Sequence, residues 1–390
     1  MAFTESFLRN HLTKGSLTLI RPDGSSEVFG TGEPCATFRM RNDKVIKKIL
    51  RDPQLNLGET YMDGEWDTDG QSLENLLTVL RTNFEVREQF NPWLAKMASL
   101  IQSWNSITAS HKNVRHHYNL DEPLFRSFLD EDMHYSCAYF RNSNDSLEEA
   151  QQNKCAHILK KLNLPPDGTV LDIGCGWGSL AMHIAENANA HVTGITLSDA
   201  QVEVARKRAK ERQLENQVSF NLEDYRLHQG KYDAVVSVGM FEHVGKHNFE
   251  TYFKKVKDFL KPNGVALIHT IGNYSLPEPT NSWIGKYIFP GGYIPALSEV
   301  LHAIEVSELV NQDTEVWRRH YAQTLGIWNE RFQKSRERFV ETKSEHFCRM
   351  WEFYLVACQT AFTIGNLVVF QLQLGLSNDS APNTRDYLYV

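Results

Sequence analysis

The residues best suited to chemistry gather in the second half of the chain. LDIGCGWG (171–178) closes a β-branched run, TVLDIG (169–174), and opens a helix with Gly174, Gly176 and Gly178. Glycines there permit a tight turn and let the backbone approach a ligand whose anionic end meets the free N–H groups of the helix start. The spacing is not that of a dinucleotide fingerprint, because Leu180 and Ala181 stand around the position of the expected third glycine. Asp172 precedes the turn, where a carboxylate suits the amino end of a methionine moiety. Asp224 and Tyr225 end a later strand and offer a carboxylate for an adenine amino group and a ring for its face. Together these favour S-adenosylmethionine over NAD or FAD. GITLSDAQ (194–201) lacks the acid that often holds a ribose diol. Ser198 suits a helix N-cap and Asp199 its first turn, which leaves Thr196 and Gln201 as the ribose partners.

The elements that position these residues alternate. HVTGITL (191–197), VSFNLED (218–224), YDAVVSVG (232–239) and GVALIHTIG (264–272) follow TVLDIG as further strands, with helical stretches between them. The clearest helix runs from Phe249 to Leu260, with Phe249, Tyr252, Phe253, Val256, Phe259 and Leu260 on one face, stopped by Pro262-Asn263-Gly264. Strands joined by helical crossovers predict a mostly parallel, doubly wound sheet with its ligands at the carboxyl ends of the strands. Ahead of it, SLTLIRPDGSSEVFG reads as a hairpin around Asp23-Gly24, and 43–51 and 72–84 read as helices. Pro92 to Ile107 is a further amphipathic stretch, and the polar segment 110–123 marks the boundary between a smaller α+β domain, 1–115, and a catalytic domain, 116–390.

With 41 Lys and Arg against 48 Asp and Glu, the net charge of −7 argues against sequence-independent nucleic-acid binding. Hydrophobic residues at 41% and charged residues at 23% exclude a disordered, collagenous or wholly coiled-coil chain. The six cysteines show no C-x-x-C pair and read as free thiols in a reducing compartment, and His116-His117 has no further ligand at useful spacing, so no metal is expected. MAFTESFLRNHLTKG has no apolar signal-like core. Residues 353–378 carry no charge, but Gln359, Gly365, Asn366, Gln371 and Gln373 divide them into a buried helix, a turn and a final alternating strand rather than a membrane span.

The assembled segments resemble the cyclopropane fatty acyl phospholipid synthases and their mycolic-acid and branched-lipid relatives. HYSCAYF (134–140), LDIGCGWG, GITLSDAQ, VSVGMFEHVG (236–245), LIHTIG (267–272), FPGGYIPAL (289–297), HYAQTLGIWNERF (320–332) and, near the start, LGETYMDGEW (57–66) carry the likeness. HYNLDEP (117–123) departs from the family's usual run. The resemblance implies a class I methyltransferase fold with a seven-stranded sheet and an added N-terminal domain associated with lipid. It implies S-adenosylmethionine as donor and the cis double bond of a membrane phospholipid acyl chain as acceptor. By motif, Tyr135, Ser136, Gly174, Gly176, Thr196, Leu197, Gln201, Asp224 and Tyr225 line the cofactor, beside Asp172. Cys137, Glu242, His269, the backbone of Ile271 and Tyr321 match the positions at which the family holds a bicarbonate ion as base. Such an enzyme is expected in the cytoplasm, peripherally on the inner face of the membrane, with a homodimer left open.

An isolated alkene is a poor nucleophile, so methyl transfer from a sulfonium depends on positioning in a dry pocket. The carbocation that results must lose a proton from the new methyl group before water traps it. Glu242 and His269 lie at the cofactor edge of the sheet, although His269 alone would read as a satisfied core histidine. Tyr139, Phe140, Trp283, Tyr287 and Phe289 offer aromatic faces for the cation. The segment near 275–297 is expected to cover the acyl chain or face the membrane. Methyl- or methylene-branching of a lipid, or methylation of a small amine, are the alternative reactions.

Overall fold

The computed structural model of the chain describes residues 2–84 and 122–389. The amphipathic stretch at 92–107 and the boundary segment up to residue 121, with most of HYNLDEP, lie outside them. By packing, the described residues form two units. One joins 2–84 to Thr280–Pro290 and Ala322–Asn366; the other comprises 122–279, Gly291–Tyr321 and 367–389.

The first unit begins with α1 (Ala2–His11), β1 (Gly15–Ile20), β2 (Ser26–Thr31), β3 (Cys35–Met40), α2 (Val45–Arg51), α3 (Pro53–Met62), β4 (Trp66–Asp67) and α4 (Leu73–Phe84). The hairpin expected at Asp23-Gly24 is present: β1 and β2 pair antiparallel, and Asp23 Oδ1 accepts from the Ser25 N–H at 2.9 Å. β3 then pairs parallel to β1. Asp52 caps α3 by accepting from Leu55 N, with Pro53 at the first helical position.

The second unit carries α5 (Glu122–Phe128), α6 (Leu147–Leu162), β5 (Thr169–Ile173), α7 (Ser179–Ala188), β6 (His191–Thr196), α8 (Asp199–Glu211), β7 (Val218–Leu222), β8 (Tyr232–Val238), α9 (Phe249–Phe259) and β9 (Leu260–Asn273). The chain continues through α10 (Ser282–Tyr287), α11 (Leu297–Val306), β10 (Val310–Trp317), α12 (His320–Thr342), α13 (Glu345–Thr363) and β11 (Leu367–Gly375). α10 and α13 pack against α3, and α13 also against α4, within the first unit.

The seven-stranded sheet has the order β10-β11-β9-β8-β5-β6-β7. β5, β6, β7, β8 and β9 run parallel, and β11 and β10 add antiparallel strands at one edge. Because β5 has β6 on one side and β8 on the other, the winding reverses there, and the carboxyl ends of these strands frame a ligand crevice. Each face is apolar. Leu171, Val235 and Ile268 pack with Phe253 and Val256 of α9, while Val170, Val236 and Leu267 pack with Ile158 and Ile184. The six residues anticipated on the apolar face of α9 are all buried, but α9 ends at Phe259 and Leu260 already begins β9. Pro262-Asn263-Gly264 does not stand outside the sheet: β9 already pairs at Leu260, and the turn is absorbed as a register slip against β8. Among the described residues no helix is long and apolar enough to cross a membrane, and 353–378 resolves into the end of α13, a turn at Gly365-Asn366 and β11.

Candidate active site

The turn after β5 is drawn against β6 by two backbone bonds, from Gly174 N and Cys175 N to Ile195 O at 2.8 and 3.1 Å. Gly174 has φ +84°, and a Cβ there would lie 2.7 Å from the Met240 side chain, so glycine is required both for the backbone and for the space. The cavity beside this turn is lined by Tyr135, Ser136, Asp172, Gly174, Gly176, Thr196, Leu197, Gln201, Asp224 and Tyr225. All ten residues read from the sequence as cofactor contacts therefore meet in one place.

Asp172 is buried, and its Oδ2 has no hydrogen-bond partner. Burial pushes its carboxyl up to about 7, against the pull of Lys154. An orphaned acid oxygen in a cavity wall fits the ammonium end of a methionine-based donor, which would supply its missing partner. Thr196 Oγ1 donates to Gln201 Oε1 at 2.8 Å, so the pair stands ready-linked at the end of β6. Ser198 caps α8 as expected. Asp224 is held more tightly than the sequence suggests: Arg226 grips both its oxygens, with Nε to Oδ1 at 2.8 Å, and its guanidinium also lies 5.6 Å from the centre of the Tyr225 ring. Tyr225 packs edge-on to Tyr252 at 5.4 Å.

Sequence reasoning missed Arg226, His134, Lys154, Met240 and His243 in this wall. A signal for Lys154 existed. It falls on the same face of α6 as Leu147, Ala150, Gln151 and Ile158, all buried, where a lysine is out of place. His243 is neutral, since burial lowers it to about 4.

Glu242 follows β8 in a 3-10 turn, Phe241–His243, flanked in the chain by the cavity residues Met240 and His243. Its Oε1 accepts from Ile271 N at 2.6 Å, while the buried Oε2 has no partner. Burial raises its carboxyl to about 7, partly offset by that N–H. The Ile271 N–H is thus engaged by the neighbouring member of the expected set. His269 lies in mid-β9, fully buried and neutral, because desolvation holds it well below its usual value. The Gln371 side-chain amide meets its Nδ1 at 3.2 Å. The edge of Trp317 contacts the His269 ring at 5.1 Å, Tyr139 stacks on Trp317 at 4.5 Å, and Phe140 N donates to His320 Nδ1 at 3.2 Å. These contacts tie the HYSCAYF segment, holding buried Cys137, to β9 and to the start of α12, where Tyr321 is buried beside His320.

The aromatic residues of 281–297 differ from expectation. Trp283 is 1% exposed, donates to Met62 Sδ at 3.2 Å and packs on Gly58 and Phe353. Tyr287 donates to Glu59 at 2.8 Å, and Phe289 meets Tyr354 edge-on at 6.0 Å. Trp283 is thus a core residue of the first unit rather than a free ring, while Tyr287 and Phe289, both half-buried, make these contacts in the same unit.

A doubly wound sheet, a glycine turn and an orphaned acid at its reversal point define a class I S-adenosylmethionine-dependent methyltransferase. A family model described as mycolic acid cyclopropane synthetase matches residues 105–372, and one for a domain of unknown function matches residues 3–89. The cyclopropane-fatty-acyl-phospholipid synthase of Escherichia coli (strain K12) is 38% identical over 343 residues, 87% of this chain and 88% of that protein. Tuberculostearic acid methyltransferase UfaA1 of Mycobacterium tuberculosis is 34% identical over 395 residues, 96% of this chain and 91% of its own. Among solved structures, mycolic acid cyclopropane synthase CmaA1 complexed with SAH and CTAB is 31% identical with a TM-score of 0.64, covering 68% of this chain and 97% of that one. The chain belongs to the mycolic acid cyclopropane synthetase family.

Proposed function

We propose that this enzyme adds a methylene to the cis double bond of phospholipid acyl chains, giving cyclopropane chains, with bicarbonate as the base. The observation that carries the reading is Glu242: a buried carboxyl with one unpartnered oxygen, next in the chain to His243 and two residues from Met240, both of the cofactor cavity. The donor chemistry around a small anion fits. Glu242 is partly protonated at neutrality, and the neutral His269 ring has one N–H to give without adding charge. Tyr321 adds a hydroxyl, Cys137 is the buried neighbour whose thiol donates to the Ala138 carbonyl at 3.3 Å, and Ile271 acts through Glu242, whose orientation its N–H fixes.

When bound, the sulfonium supplies a methyl cation equivalent to the alkene π pair, and the anion supplies an oxygen for the proton that must leave. The protein's part is to keep both ends dry and aligned. Cys137, Glu242, His269 and Tyr321 are all buried, so no loose water competes for the acyl carbocation. Loss of a proton from the new methyl group lets its C–H pair close the ring, so the chain gains one CH₂ in total.

Because the acceptor lies in a bilayer, the enzyme works as a peripheral protein at the inner face of the membrane. Leu276, 81% exposed just beyond β9, supports such a contact. Incubation with S-adenosylmethionine and vesicles of cis-monounsaturated phospholipid should add one CH₂ per modified chain with ring protons in the NMR spectrum. Unchanged lipid would overturn the reading. The likeness to a tuberculostearic acid methyltransferase favours a methyl-branched product as the second reading, and the same spectrum separates branch from ring.

A further inference from the structure

Lys154 on α6 is 1% exposed yet lines the cofactor cavity. Its Nζ donates to Ser136 Oγ at 2.9 Å and to Gln151 Oε1 at 2.7 Å, and Gln151 Nε2 in turn donates to the Ser136 carbonyl at 3.0 Å. An ammonium is all donor, so the Ser136 oxygen accepts from it and the hydroxyl keeps its own hydrogen for a partner in the cavity it lines. A buried cation without a carboxylate in direct contact is costly, and an apolar side chain of similar volume would fill this space more cheaply.

The charges around Lys154 explain what it faces. Asp130 and His134 of the preceding loop pair with each other at 2.7 Å, and His134 Nε2 lies 3.2 Å from Cys155 Sγ on α6. Cys137 belongs to the same loop, and the neutral rings of His183 on α7 and His269 on β9 sense the same field. Burial lowers the Lys154 ammonium, and Cys155, Asp130, Cys137 and Asp172 oppose that in this order; of these four only Asp172 of β5, with its orphaned Oδ2, lines the cavity with Lys154.

We propose that Lys154 is a positioning residue of the donor site: its ammonium aims the Ser136 hydroxyl into the cavity and supplies a positive charge to the same wall as Asp172, which receives the amino end of the donor. The proposal rests on the reading of Asp172 as the contact for that amino group. An acid held at about 7 binds a cation progressively less well as pH falls through that value, and losing Lys154 moves the threshold upward.

The test is calorimetric titration of the full chain with S-adenosylhomocysteine between pH 6 and 9, beside 5′-methylthioadenosine, which lacks the amino-acid end. For Lys154→Met, the pH at which S-adenosylhomocysteine affinity is half lost should rise by about one unit. That is about a tenfold loss of affinity below both midpoints, while methylthioadenosine binds as it does to the wild type. An unshifted profile, or an equal loss for both ligands, would overturn the proposal. Asp172→Asn should weaken S-adenosylhomocysteine and flatten its profile; if it binds like wild type, the reading of Asp172 fails instead. Should Lys154→Met not fold, Lys154→Gln, which keeps a donor to Ser136 but not the charge, carries the same readout. Failure of both to fold would make the residue structural and end the proposal.

Discussion

Glu242→Gln should make the protein more stable and less active at once. In the folded chain burial lifts the Glu242 carboxyl from 4.5 to about 7, so the native state binds its proton more tightly than the unfolded state does. Stability from this group is therefore intact below pH 4.5 and falls as pH rises through 7, by about 3 kcal/mol in the limit. Glutamine is neutral at every pH and keeps an oxygen for the Ile271 N–H, now accepted at 2.6 Å. The variant should exceed the wild type by several degrees in Tm at pH 8, at roughly 2–4 °C per kcal/mol, and the gap should close toward pH 4.5. Thermal melts across that range measure it, with S-adenosylhomocysteine binding retained and methylene transfer lowered about 10²-fold or more. A gap independent of pH, or a variant less stable at pH 8, would refute the account of Glu242 as a strained buried acid. Unchanged turnover would remove it from the base site.

Tyr321→Phe removes a buried hydroxyl at the start of α12 and should cut turnover while S-adenosylhomocysteine binding stays intact; equal rates in the two proteins would exclude the hydroxyl from the chemistry. Gly58→Ala would normally favour a helix, yet its Cβ would sit 2.4 Å from Trp283 Nε1. It should therefore destabilise by about 1–3 kcal/mol, and a raised Tm would contradict the packing of α3 and α10. Glu315→Gln strips the fully buried Lys161 and His157 of their shared carboxylate and should cost about 3 kcal/mol in urea denaturation. Burial pushes that carboxyl up, but His157 and Lys161 outweigh it and hold it at about 2. The deficit should shrink as pH falls from 4.5 toward 2, and a deficit constant through that window would count against the ion cluster.

The parallel strands were legible because β5, β6, β7 and β8 are short β-branched runs bounded by turns, and the cofactor wall because its residues lie within a few positions of those strand ends. Local pattern was enough. β10, reading VNQDTEVW, gave no such signal: it is a partly exposed edge strand whose polar residues hide the alternation, and only its pairing with β11 defines it. The commitment of Arg226 to Asp224 was equally hidden, since a neighbouring arginine in sequence reads as surface. Trp283 was misjudged for a different reason. A Gly- and Pro-rich aromatic segment looks like a cover over a site, but its burial depends on Gly58 and Met62, which no window around residue 283 contains. His269 shows the converse: burial and neutrality suit a core residue as well as a donor, and only the neighbouring Glu242 makes the second role chemical.

The residues around Trp283 also limit how the chain can be cut. The opening helices α3 and α4 share an apolar seam with the late helix α13, although most of the catalytic sequence is threaded between them. Proteolytic removal of the first eighty or so residues (about the length of 2–84) would not release a dispensable accessory. It would strip the greasy side of α13 and leave Trp283 and Phe353 facing water, so such a fragment is expected to precipitate with its donor cavity chemically unaltered.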